Sequence, residues 1–234
     1  MKCWICGAEG ESAEHMIKAS DIKSMFGHIS QKHPLFRRID TAPPETVQGV
    51  QSSKLKFGAR LCSHCNNART QRHDRSWEAL SNFLRHRHPP IRAGMTVRLS
   101  PAFRNGIRRP MLGVHLYFLK LFGCLIADNE IPIDLAPFAD AILNESPHPN
   151  VYLSFLAVSH AGIRQYAAIT PVYTEKVAGT IVLANWFYFI GPLAVNVTYA
   201  LAVRSNTKDV HLWHPSSSDR SIIVDRLGKA IINA

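Results

Sequence analysis

Two pairs of thiols, Cys3-Trp4-Ile5-Cys6 and Cys62-Ser63-His64-Cys65, stand 55 residues apart in this chain. A Cys-x-x-Cys spacing lets two thiolates grip one ion, and two such grips complete a tetrahedral zinc site with Zn–S distances of about 2.3 Å. An ion bound in that way supplies folding free energy to a segment that carries a long irregular insertion. His64 lies beside two cysteines that already serve, so the expected shell of a structural zinc is Cys3, Cys6, Cys62 and Cys65. Four of the five cysteines fall in these pairs, which points to metal binding in a reducing compartment rather than to disulfides. The fifth, Cys124, reads as a small buried hydrophobe.

A second set of reactive types lies close to the thiols. Glu14-His15 precedes the apolar pair Met16-Ile17, and Asn66-Asn67-Ala68-Arg69-Thr70 follows Cys65 directly. A neutral imidazole, with a reference pKa of about 6.5, can take a proton from water at neutral pH. A hard cation held by oxygen ligands can stabilise charge that develops on a phosphate and its leaving oxygen. In a regular strand Glu14 and His15 would point to opposite faces, so a bend must bring both to one site. Arg69, Arg72 and Arg75 suit phosphate contacts that position a backbone without reading bases, with a solvated helix face as the competing reading. His73 and Asp74, about two turns beyond Asn66, offer either a water-mediated metal contact or plain helix packing.

Taken together, these segments resemble the HNH, or ββα-metal, endonuclease family over about residues 1–88. The second thiol pair with Asn66, Arg69 and Thr70 looks like the family's Cys-x-x-Cys-His-x-x-Lys-Thr helix start, with Asn66 in the His place and Arg69 in the Lys place. The resemblance implies a hairpin presenting a carboxylate and a histidine, followed by a helix presenting a metal ligand. Carried over by position, Glu14 helps hold a catalytic divalent cation, Mg²⁺ or Mn²⁺, His15 is the general base and Asn66 is the second protein ligand. The implied activity is metal-dependent hydrolysis of phosphodiester bonds in nucleic acid, with double-stranded DNA as the expected substrate. Two alternatives stay open: a non-catalytic zinc-ribbon module or degenerate nuclease that binds nucleic acid, and a nuclease effector of a phage or defence system controlled by a ligand or partner. Glu14-His15 separates enzyme from binder, because a pure binder needs no base beside a carboxylate.

Charge agrees with a polyanionic partner. Residues 1–110 hold 19 Lys and Arg against 8 Asp and Glu, while residues 111–234 hold 8 against 9, so the +10 of the whole chain resides in its first part. With 46% apolar residues the chain can bury a sizeable core, and its N-terminus lacks the apolar stretch of a signal peptide, which points to the cytoplasm. Two apolar stretches, 111–127 and 180–203, read as a buried helix and buried strands rather than membrane spans, since polar residues interrupt both.

The expected architecture is α+β. A zinc-stapled ββα-metal module occupies 1–90, a linker 91–110, and a C-terminal α+β domain of unreadable role 111–234; a homodimer is left open. In the first part, Ser20 or Asp21 should N-cap a short helix over 22–26, residues 27–58 should be irregular, and a helix should run from Cys65 to the stop at Pro89-Pro90. In the second, a helix over 109–128 should pack on an antiparallel sheet of strands at 151–160, 163–174, 179–190, 193–204 and 210–213, and a helix over 219–232 should close the chain.

Overall fold

A computed structural model of the chain describes residues 1–39, 41–158, 165–202 and 210–227. It is a mixed α+β structure. The first part begins with β1 (Ser12–His15) and α1 (Ala19–Phe26), then a small antiparallel hairpin of β2 (Leu35–Arg37) and β3 (Glu45–Val47). Next, β4 (Lys56–Leu61) returns antiparallel to β1. Phe57, Ala59 and Leu61 of β4 alternate inward, the period of a half-buried strand. The insertion expected to be irregular therefore contains a hairpin and the start of β4.

Beyond the second thiol pair the chain does not enter an α-helix at once. A π-helical turn, His64–Arg69, precedes α2 (Gln71–His86), and the Thr70 hydroxyl contacts the carbonyls of Cys65 and Asn66 at 3.0 Å each. Buried His73, Trp77, Leu80, Ser81 and Leu84 form one stripe of α2. The helix ends shortly before Pro89, as the missing proline N–H and the strained preceding residue require.

The remainder is β5 (Met95–Arg98), α3 (Arg108–Asp128), α4 (Ala136–Asn144), β6 (Val151–Ala157), β7 (Ala167–Ile169), β8 (Tyr173–Val177), β9 (Thr180–Ile190), β10 (Leu193–Ala200) and β11 (Ser221–Arg226). One sheet of seven strands runs β5-β11-β6-β10-β9-β7, with β8 also paired to β9. It is antiparallel except where β11 runs parallel to β6. Several expectations are corrected here. The segment 91–110 supplies the edge strand β5. Within the expected closing helix, residues 221–226 form a strand, because Ile222-Ile223-Val224 is β-branched and Ile222 and Val224 turn inward. Segment 163–174 breaks at Pro171 into β7 and β8. Trp213 makes a single bridge to Leu153 instead of a strand over 210–213. Helix α4 was not expected. The parts of expected elements at 159–160, 163–164, 203–204 and 228–232 lie outside the described residues.

Helix α3 is the centre of the molecule. It touches β4, α2, α4 and β6, and its window apolar enough to cross a membrane is 83% buried inside the protein, as in the core helix of a soluble protein. One hydrophobic cluster joins residues of the first part, such as Leu61 and Trp77, to Phe118 of α3 and Trp186 of β9. Trp77 stacks on Tyr117 at 5.7 Å and meets Phe118 and Tyr188 edge-on. Two glycines permit close approach: a Cβ on Gly123 would lie 2.4 Å from the Trp4 ring, and one on Gly113 would lie 2.5 Å from Ser76 Oγ.

A buried carboxylate reinforces this packing. Ser20 or Asp21 was expected to cap a helix over 22–26, yet the helix starts at Ala19, so both lie inside it, and its N-terminus has no side-chain cap bond. Instead Asp21 turns inward and accepts from Trp77 Nε1 (2.8 Å), Ser81 Oγ (3.0 Å), Arg85 Nη2 (3.1 Å) and the Tyr188 hydroxyl (2.9 Å). Four donors from α2 and β9 satisfy a charge that burial would otherwise make costly.

Candidate metal centre and active-site cleft

The four paired cysteines meet. Their Sγ atoms all lie within 4.8 Å of one another, a grouping able to hold a metal ion and compatible with a structural zinc. Cys3, Cys62 and Cys65 are buried and Cys6 is exposed, while His64 is exposed and outside the group. Each knuckle is shaped by its backbone. Cys65 N–H points at Cys62 Sγ (3.3 Å), and in the first knuckle Gly7, at φ 75°, turns its N–H back to the Cys3 carbonyl (2.8 Å). Burial pushes the Cys65 thiol well above its ordinary pKa, so a bound cation is what would favour its thiolate. Trp4, between the first pair, carries the knuckle onto α3 by packing over Gly123 and donating to Cys124 Sγ (3.5 Å).

The knuckles place β1 and the π-helical turn side by side, and between them opens a polar cleft of about 480 Å³. Glu14, His15, Asn66 and Asp74 all line it, with Lys18, Lys23 and Lys56 supplying positive charge. The bend needed to bring Glu14 and His15 together is present: the β1–β4 register shifts between Ala13 and His15. His15 is half-buried, and its Nε2 lies 3.0 Å from the Val50 carbonyl oxygen. A carbonyl only accepts, so Nε2 carries the proton and Nδ1 keeps the lone pair. Burial lowers the His15 pKa, opposed by the Val50 carbonyl and by Glu14, which leaves the ring neutral and able to accept a proton at neutral pH.

Asn66 is buried beside Ser12, donating from Nδ2 to Ser12 Oγ at 2.7 Å. Its Oδ1 has no hydrogen-bond partner among the described residues. An amide oxygen left without a donor suits a hard cation, and Glu14, next to His15 on β1, brings a carboxylate to the same cleft. Glu14 is partly committed already: Oε1 accepts from His15 N–H (3.0 Å) and Oε2 pairs with Lys120 Nζ (2.7 Å).

Lys120 was not singled out as a site residue from sequence. It is fully buried on α3, and its ammonium also reaches Asp74 Oδ1 at 2.9 Å and Thr70 Oγ1 at 3.2 Å. Burial pulls its pKa down, but Glu14 and Asp74 outweigh that and hold it above the ordinary lysine value. Burial pushes Asp74 up, against the pull of Lys120. A lysine in the middle of an apolar helical run is the signal that could have found it, since a buried ammonium requires partners.

The other expected residues are dispersed. Arg69 turns its guanidinium to Cys65 Sγ (3.8 Å), Arg72 pairs with Glu145, and Arg75 is exposed; none of the three lines the cleft. His73 is buried against Gly113 of α3, and burial, with Arg72 and Lys120, pushes its pKa down to about 4. Of the two open candidates on α2, Asp74 thus faces the cleft and His73 does not. No protein-family model, curated protein or solved structure matches the chain.

Proposed function

We propose that this cleft is the active site of an HNH-type, metal-dependent endonuclease that hydrolyses phosphodiester bonds in double-stranded DNA, and that the four-cysteine group holds a structural zinc. The observation that carries the reading is His15: a neutral imidazole whose tautomer is fixed by the Val50 carbonyl, beside Glu14 in a cleft that also presents Asn66. In this scheme Nδ1 of His15 takes a proton from water as its oxygen attacks phosphorus, and the bond to the 3′ oxygen breaks. Glu14 and the unpartnered Asn66 Oδ1 are the residues that would hold a divalent ion, Mg²⁺ or Mn²⁺. Such an ion supplies positive charge for the phosphate and the departing oxygen. Lys18, Lys23 and Lys56 on the cleft lining, with exposed Arg75, suit the phosphates flanking the scissile bond.

A second reading has its own observation. Lys120 already neutralises Glu14, so the same geometry suits a zinc-stapled module that binds nucleic acid without cutting it. A nicking assay on supercoiled plasmid separates the two. Cleavage that needs Mg²⁺ or Mn²⁺ and is reversibly lost in mild EDTA, while zinc stays bound, supports the nuclease; binding without cleavage under all these conditions supports the binder.

A further inference from the structure

Away from the cleft, a pocket of about 570 Å³ opens between the loop that leads into α3 and the loop before β11. Its lining combines two chemistries. Phe103, Met111 and Trp213, all buried, form an apolar wall, and exposed Arg104, Arg108 and Arg220 bring three guanidiniums. Among the described residues the lining holds one carboxylate, Asp219, and it is hydrogen-bonded to the Ser217 hydroxyl. Among the described residues no ion pair engages Arg104, Arg108 or Arg220.

The electrostatics of this corner favour an anion. Helix α3 starts at Arg108 with no side-chain cap and no acidic residue in its first turn. Arg108 and Arg109 thus add positive charge at the end of the helix where the backbone dipole is already positive. A phosphate placed among the arginines would be attracted both by the guanidiniums and by the helix end. Guanidinium forks match phosphate oxygens in pairs, which a solvated lysine patch does not do. The apolar lining asks for more than an inorganic ion: a planar base over the part-exposed Ile107, backed by the buried Phe103, Met111 and Trp213, would cover surface that phosphate alone leaves wet.

We propose that this pocket binds a nucleotide, its phosphate held by Arg104, Arg108 and Arg220 and its base lying against the apolar wall. The nucleotide can be free or part of a nucleic-acid chain, and the phosphate chemistry is the same for both. The inference does not depend on the cleft being catalytic.

Calorimetric titration of the full chain with AMP, ATP, GTP, inorganic phosphate and a short DNA duplex tests it. At least one nucleotide should bind one-to-one, about tenfold or more tighter than inorganic phosphate, and Arg104→Ala/Arg220→Ala should weaken it by about tenfold or more. The charge-matched pair Lys32→Ala/Arg92→Ala, at exposed sites outside the pocket, should leave binding unchanged. Weakening of the duplex alone by the pocket variant, with its charge-matched control unaffected, supports the site and assigns its phosphate to a polymer. Equal loss in both double variants reduces the effect to net charge and overturns the proposal. So does the absence of any nucleotide or duplex binding tighter than about 1 mM.

Discussion

Replacing Lys120 by Met keeps the side-chain length and apolar stem but removes the one charge that links α3 to Glu14 and Asp74. In the native protein the ammonium is fully buried, and the two carboxylates are only 13% and 20% exposed. Removing one partner of such a group leaves uncompensated buried charge, at a cost of about 3–5 kcal/mol. Against a total stability of about 5–15 kcal/mol this is a large fraction. At a urea slope of about 3 kcal/mol/M, the unfolding midpoint should fall by about 1–2 M at pH 7.5. The pH dependence has a definite sign. Burial already raises Asp74, and loss of Lys120 raises it further, so the folded variant takes up protons that the unfolded chain does not. The deficit relative to wild type should therefore shrink between pH 7.5 and 5, and Asp74→Asn in the Lys120→Met background should recover part of it at pH 7.5. Urea unfolding followed by far-UV circular dichroism at both pH values reads the effect. A variant as stable as wild type at pH 7.5, or a deficit that widens on acidification, would refute the reasoning.

Three further outcomes follow from the packing. A fragment of residues 1–90 lacks the Lys120 and Tyr188 partners of Glu14, Asp74 and Asp21, and should show no cooperative unfolding transition even with zinc present; a sharp transition would show the module to be autonomous. Gly123→Ala drives a methyl into the Trp4 ring and should lower stability by about 1–3 kcal/mol, measured by thermal unfolding, because neither the knuckle nor α3 can move independently. Cys62→Ser removes one of four thiolates, and elemental analysis should find the bound zinc lost together with the fold of the first part; full zinc retention would displace Cys62 from the shell.

What could be read in advance was what depends on short spacing. Each thiol pair is fixed by two intervening residues, so the four-cysteine group was legible in the chain alone, whereas the grouping of Glu14, His15 and Asn66 was implied only by the family resemblance. Helix α3 was legible because a long apolar run without Pro or Gly breaks at its centre has few other solutions. The bond between Lys120 and Asp74 spans 46 residues, and no local rule encodes it. Asp21 shows the same limit: its position ahead of a short helix fits a cap, yet the donors of Trp77, Ser81, Arg85 and Tyr188 outbid the helix end. The closing helix expected over 219–232 fails for a related reason: the β-branched run Ile222-Ile223-Val224 and its pairing with β5 and β6 decide for a strand. The parallel pairing of β11 with β6 was equally hidden, since it depends on where the chain returns.

The central claim rests on His15 as the base, and the rate of plasmid nicking by His15→Ala against wild type tests it most directly. With matched Mg²⁺ or Mn²⁺, wild type should cut, and the variant should cut about 10²-fold more slowly or worse while zinc content and DNA affinity stay unchanged. Nicking by His15→Ala at the wild-type rate would contradict the account, as would a wild type that binds DNA and never cuts it.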